Sequence, residues 1–291
     1  MLLQEKMEST DFSPNEKIVV DFIMNKQENI ENYSTTMIAK ETYTSPSVLV
    51  RIAKKLNFDG WTKLKKAYVE EITYLHKHFK EIDANTPFTK TDSIREIVNK
   101  LAQLKSESIQ DTLSLLDYDA LQQAIDIINS HQVVRLFGLS NIVFQAEEFV
   151  FKMRHIGKGA ESFEVQGMMF QESAMTTSKD CAIIISYSGE SGELITDASF
   201  LKKNHVPIIA ITSIGDNTLS QMADITLYVT TRERSYSKIA GFSSLESISL
   251  ILDILYSGCF ASNYDDHYNY KVDLSKATEF RPINNEIIQE N

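Results

Sequence analysis

After residue 130 the sequence falls into short apolar runs separated by helical stretches. VVRLFG (133–138) precedes FQAEEFVFKMRHIG (144–157), and CAIIIS (181–186) precedes ELITDASFLKKN (193–204). VPIIAIT (206–212) precedes TLSQMAD, and ITLYV (225–229) is followed after a loop by SSLESISLILDILYSGCF (243–260). Near-continuous β-branched runs joined by helices are the pattern of a parallel sheet covered on both faces. The expected fold of this part is an open α/β three-layer sandwich with its core at about 131–260. Ligands of such folds bind in the crevice beyond the carboxyl ends of the strands.

Upstream, SIREIVNKLAQLKSESIQDTLSLL (93–116) and ALQQAIDIINS (120–130) carry helical periodicity, with Asp92 and Asp117 as expected caps. Before them KEIDANTPFTKTD is polar and holds Pro87 among turn formers. The expected division is an all-helical domain over 1–80, a linker at 81–92 and the α/β domain over 93–291. A chain of 291 residues accommodates two domains of ordinary size. No apolar run approaches the roughly 20 residues of a membrane span. MLLQEKMEST carries charges where a signal peptide needs an apolar stretch. Cys181 and Cys259 show no metal-ligand spacing and read as core thiols of a reducing compartment. These features predict a cytoplasmic protein without membrane partner, metal or cofactor.

The net charge of −11 is unevenly spread. Residues 1–80 hold 12 Lys and Arg against 11 Asp and Glu, and within 45–66 six cations face Asp59 alone. Clustered positive charge on an acidic protein collects phosphates, so nucleic acid is the first partner to consider. The flanking pattern agrees. Ser13-Pro14-Asn15-Glu16 opens a helix with a capping box and Pro at its first position. Ser34 opens a short second helix, and Ser45-Pro46 opens a third in which Leu49, Ile52, Ala53 and Leu56 make one apolar face. The opposite face is expected to carry Ser47, Val48, Arg51, Lys54 and Lys55. A recognition helix in a major groove would put Ser47, Val48 and Arg51 near base edges and Lys54 and Lys55 on phosphates, with Ser45, the expected cap, counted among the DNA-binding residues. A basic solvated helix in an ordinary bundle is the alternative.

The stretch SYSGES (186–191) ends a buried strand in a knot of hydroxyls just before a helix. Amides at a helix N-terminus attract an anion, and serine hydroxyls donate to phosphate oxygens. The competing reading is a serine-rich turn that merely caps its helix.

Residues 13–67 resemble the N-terminal domain of the RpiR family of bacterial transcription regulators. The likeness rests on Ser-Pro-x-Glu, on Ser-Pro followed by Arg51, Lys54, Lys55 and Leu56, and on Phe58, Gly60 and Trp61. Tyr43 stands where the family usually has Gly in the turn. Residues 131–260 resemble the SIS (sugar isomerase) domain of the same family, through SYSGES, KKNHVPIIAITS, LSQMADITLYV and LILDILY. The resemblance implies that Ser186, Ser188 and Ser191 contact a sugar phosphate and that Gly189 admits the backbone. In the first strand-helix loop Ser140 stands in a family Gly position. Either Ser140 and Asn141 substitute from one turn earlier for the hydroxyl missing at Ile142, or the loop binds more weakly or takes a different ligand. Ser244 at the start of the closing helix is a further expected contact. Ile142 departs by standing where a ligand-contacting Ser is usual, and Leu245 by standing where a polar residue is usual.

Glu190, Glu193, Glu246, His155 and His205 are the acid or base candidates, and none forms a persuasive pair, so no catalytic residue is expected. The expected protein is a repressor of sugar-metabolism genes, with a double-stranded operator, a phosphorylated sugar or amino-sugar effector, and a homodimeric or tetrameric state. The alternatives are a SIS-fold sugar-phosphate isomerase, or a regulator whose SIS domain only dimerises.

Overall fold

The computed structural model describes residues 3–78, 82–163 and 166–278. The chain divides into two compact units. One comprises Met1–Ser114, Ser213–Asn217 and Thr230–Ser244, and the other Leu115–Thr212, Thr218–Val229 and Leu245–Asn291.

The first unit begins with α1 (Leu3–Ser9), α2 (Pro14–Lys26), a 3-10 turn at Gln27–Asn32, α3 (Thr35–Glu41), α4 (Pro46–Lys55) and α5 (Trp61–His78). Helices this short are marginal alone and are held by packing. Val19, Ile23, Ile30, Ile38, Leu49, Ile52 and Leu56 form that packing and are wholly buried. A carboxylate lies inside it. Glu16 accepts from the Ser13 amide and hydroxyl, both at 2.9 Å, and from Lys55 Nζ at 2.8 Å. The cap of α2 thus doubles as a tie to α4. The Lys55 hydrogen bond, opposed by burial and helped by the Ser13 bonds, lowers the Glu16 carboxyl to about 2.

The turn between α3 and α4 is left-handed at Tyr43, with φ 52°. The Thr44 amide returns to the Ala39 carbonyl at 2.8 Å and closes it. The turn therefore keeps its shape with a side chain where glycine would sit free of strain.

The last helix of this unit is α6 (Ile94–Ser114). Its cap is Ser93, not the expected Asp92: the Ser93 amide donates to Glu96 at 2.7 Å, and the Glu96 amide donates to Ser93 Oγ at 3.4 Å. Asp92 instead accepts from Lys100 at 2.6 Å and from the Thr89 amide at 3.0 Å. Residue 81 of the expected linker lies outside the described residues, as do 79 and 80 before it, and 82–92 are tied to the 230–244 loop. Asn85 takes the Arg234 amide at 2.7 Å, and its own carbonyl takes the Ile239 amide at 2.8 Å. Arg232 donates to the Ile82 carbonyl at 3.1 Å and pairs with Glu107 of α6 at 2.8 Å. Asp111 of α6 accepts from the Thr230 hydroxyl.

The second unit holds α7 (Tyr118–Ser130), β1 (Val133–Gly138), α8 (Ile142–Arg154), β2 (Gly159–Ser162), α9 (Gln166–Met175), β3 (Cys181–Ile185) and α10 (Gly192–Lys203). It continues with β4 (Ile208–Ser213), α11 (Thr218–Met222), β5 (Ile225–Val229), α12 (Ser244–Ser262) and α13 (Tyr264–Thr278). Ser213 and Ser244 themselves fall in the first unit. Asp117 caps α7 as expected, through the amides of Asp119 and Ala120. The sheet order is β2-β1-β3-β4-β5, and β1 runs parallel to β2 and β3, as β3 does to β4. Cys181, Ile183 and Ile185 face a core shared with α7, α8 and α12, while Ala182 and Ile184 face one shared with α9, α10 and α11. That alternation makes the expected three layers. The strand Gly159–Ser162 was not expected, because GAES has no apolar run and lies at the sheet edge.

By length and composition alone α12 is long and apolar enough to cross a membrane, although Glu246 and Asp253 interrupt its apolar residues. Ile248, Ile251, Leu252, Leu255 and Cys259 turn its apolar face onto the sheet core. Cys181 and Cys259 are free thiols whose burial pushes them up to about 12, as inert core cysteines require.

Two outcomes are expected in thermal melts of the full chain. Because Glu16 is held below its ordinary 4.5, its contribution is complete above pH 4.5 and lost as pH falls toward 2. Glu16→Gln should cost about 2 kcal/mol at pH 7 and flatten that acid limb; an unchanged limb would refute the clamp. Tyr43→Gly should stabilise by about 0.5–1 kcal/mol, the left-handed strain less the extra freedom of the unfolded glycine.

Candidate functional site

Two surfaces carry chemistry, one in each unit. The first is the outer side of α4. At ~100° per residue, Val48, Leu49, Ile52 and Ala53 gather on the core side, none more than 3% exposed. Val48 is therefore corrected from a base-edge residue to a core residue, since it stands one turn before Ile52. Ser47, Val50, Arg51 and Lys54 form the exposed side. The Ser45 hydroxyl pairs with that of Ser47 at 2.7 Å and does not cap the helix, so both sit open at its N-terminus.

Arg51 keeps 58% of its side chain exposed and lies 3.8 Å from Glu16. Lys55, expected on a phosphate, is already engaged. Its ammonium meets Glu16 at 2.8 Å and the Asp11 carbonyl at 3.0 Å, and lies over the Phe12 ring. Its chief role is to hold α4 against α2. Glu16 and Lys55 stand 39 positions apart in the sequence, so no local pattern announced the pair.

The second surface follows from strand order. The chain leaves β1 toward β2 on one side and returns to β3 on the other, so the order reverses between β1 and β3. Gly138 and Ile185 are register partners at the carboxyl ends of these strands. The loops after them open the switch-point crevice, where ligands of doubly wound sheets bind. After β3, the Ser186 amide continues the ladder to Ile211 at 3.0 Å. Gly189 takes φ 67°, and its amide turns back to the Ser186 hydroxyl at 3.2 Å. Ser188 accepts from the Glu190 amide at 3.2 Å, and the hydroxyls of Ser186 and Ser191 face each other at 3.4 Å. Ser191 is the N-cap of α10 by position, yet its hydroxyl makes no capping bond. The turn thus does not use that hydroxyl on its own helix, and the first-turn amides of α10 keep their attraction for an anion.

The first loop differs. Ser140 is left-handed at φ 59° and, like Asn141, exposed. Asn141 precedes α8 without a side-chain cap. Ile142 folds down on the strand end: a Cβ on residue 138 would lie 2.7 Å from Ile142 Cγ2, so only Gly fits there. Hydrocarbon occupies the position where a hydroxyl was sought.

Ser244 belongs to the first unit and is not open to a ligand. It is 4% exposed, and its amide and hydroxyl donate to Glu233 at 3.0 and 2.6 Å, as does the Ser243 amide at 2.6 Å. Glu233 stands 11 residues away and was not foreseen. Two of the candidate bases, Glu190 and His155, are likewise engaged. Glu190 accepts from the amide and hydroxyl of Thr218 at 3.0 and 2.8 Å, at the start of α11. His155 Nδ1 lies 2.7 Å from the Phe151 carbonyl, and His205 sits in a left-handed turn between α10 and β4.

Residues 1–74 match the helix-turn-helix domain of the rpiR family, and residues 127–257 match the SIS domain. The structure is similar to that of the Vibrio vulnificus NanR protein complexed with ManNAc-6P, at 21% identity and TM-score 0.62. That match spans 94% of this chain and 97% of the other. It is also similar to the sugar isomerase domain of an RpiR transcription factor from Sphaerobacter thermophilus. There the identity is 15% and the TM-score 0.56, over 62% of this chain and 99% of that one. These likenesses are ones of fold. With both domain types present in the family's order, the chain belongs to the RpiR family of transcriptional regulators, and it is a DNA-binding regulator rather than an enzyme.

Proposed function

We propose that the protein is a cytoplasmic, homodimeric repressor of sugar-metabolism genes whose hold on its operator changes when a phosphorylated sugar or amino sugar occupies the crest beyond β1 and β3. The observation that carries this reading is the Ser191 hydroxyl. It leaves its own helix uncapped and turns toward Ser186, beside amides that favour an anion. Ser186, Ser188, Ser191 and Gly189 are the phosphate residues in this reading, with Ser140 and Asn141 lining the other loop. That the Vibrio relative is a ManNAc-6P complex supports a ligand of that chemical class. Ser47, Arg51 and Lys54 are the operator residues, joined by Ser45 at the helix start. Two recognition helices on a palindrome require at least a dimer.

Coupling requires an element that both events bias. Loop 230–244 is suited to it, because it follows β5 in the chain and is bonded to segment 82–89 and to α6 through Asn85, Arg232 and Thr230.

A regulator whose SIS domain only dimerises remains the second reading, favoured by the methyl of Ile142 over Gly138. Thermal shift decides between them. A matching phosphosugar at a hundredfold excess over Kd should add about 2.7 kcal/mol, a rise of several degrees. Ser191→Ala should abolish the rise without lowering the unliganded melt, and a flat panel of phosphosugars would favour the second reading.

Operator binding separates the cations of α4. Lys54→Ala should reduce the slope of log affinity against log salt by about 1 and leave the melt unchanged. Lys55→Ala should lower the melt, because it strands the buried Glu16. Equal behaviour of the two variants would refute the assignment.

A further inference from the structure

Val50 is a β-branched residue on the outer side of a helix, where alanine would be preferred by about 0.5 kcal/mol. It is 43% exposed and belongs neither to the helical core nor to the partly buried residues packed against that core. Single exposed apolar residues are ordinary, and Ile18 on α2 is another. The surroundings of Val50 set it apart. At ~100° per residue, Val50 and Arg51 flank the line joining Ser47 and Lys54, one on each side. The polar reading face of α4 therefore carries one strip of bare methyl groups next to its guanidinium.

The floor of a major groove is lined with donors and acceptors, and its one apolar feature is the thymine 5-methyl group. A guanidinium on the same face matches the paired acceptors of guanine. We propose that Val50 is a specificity-determining residue that packs on a thymine methyl, so that each half-site holds a thymine adjacent to the base pair read by Arg51. This rests on the reading of α4 as the recognition helix, and it adds a base identity which charge alone cannot supply.

The test uses the full chain. A duplex is first selected from random sequence, and each thymine is then replaced singly by deoxyuridine, which removes the methyl and keeps the pairing. At one thymine per half-site, deoxyuridine should weaken the wild-type protein roughly fourfold, the worth of one buried methyl. Val50→Ala, which removes the contact in both half-sites of a dimer, should weaken binding to the thymine duplex by roughly sixteenfold, show no further loss on deoxyuridine at that position, and keep the wild-type salt slope. Alanine suits an exposed helical site, so the variant should melt no lower than the wild type. The inference is overturned if no thymine is sensitive, or if Val50→Ala remains as sensitive as the wild type. If selection enriches no duplex, or Arg51→Ala binds as well as the wild type, the recognition-helix reading itself fails, which is a separate result.

Discussion

Strand β3 is buried on both faces, with none of Cys181, Ala182, Ile183, Ile184 or Ile185 exposed to solvent. A strand in that position can carry polar groups only where it leaves the sheet. The hydroxyls of Ser186, Ser188 and Ser191 lie at that exit, and the reversal of strand order brings the end of β1 alongside. The crest is therefore a product of topology before it is a product of sequence. The core decides where polar groups emerge, and the turn at Gly189 decides which way they face.

The helical unit follows a different logic. A carboxylate taken out of water needs partners for its charge, and Glu16 finds them in Ser13 on its own helix and Lys55 on another. The same contact starts α2, fixes α4 against it and withdraws one cation from the outer face. Arg51, near Glu16 yet largely exposed, is left beside Lys54 as the charge available to a partner. Stability and recognition thus draw on neighbouring positions of one short helix, and burial sorts them.

Features with local causes were legible in the sequence. Val133–Gly138 and Ile225–Val229 were read to the residue because each is a bounded apolar run. The cap at Ser93 was also available, since Ser93 and Glu96 have the spacing of a capping box, while Asp92 drew the assignment only by being acidic. Val48 could have been placed by its distance of four from Ile52. Gly159–Ser162 was beyond reach because its pairing comes from β1 and not from its own side chains. The long-range bonds had no local sign at all: Glu190 to Thr218, Glu233 to Ser244 and Arg232 to Glu107 join residues whose closeness only the tertiary fold creates.

The tie between α6 and loop 230–244 bears on how the chain is made. Among the described residues, the core of α1 to α5 extends no further along the chain than Ile72. Glu107 and Asp111, by contrast, meet Arg232 and Thr230 only after more than a hundred further residues have left the ribosome. Domains generally fold in order of emergence, so the helical part can mature early, while the bonds of Glu107 and Asp111 to loop 230–244 form only after the last strand has been translated. A fragment ending at Ser114 would lack Arg232 and Thr230 and so lose both bonds, whereas one ending just after α5 would contain neither side of the tie.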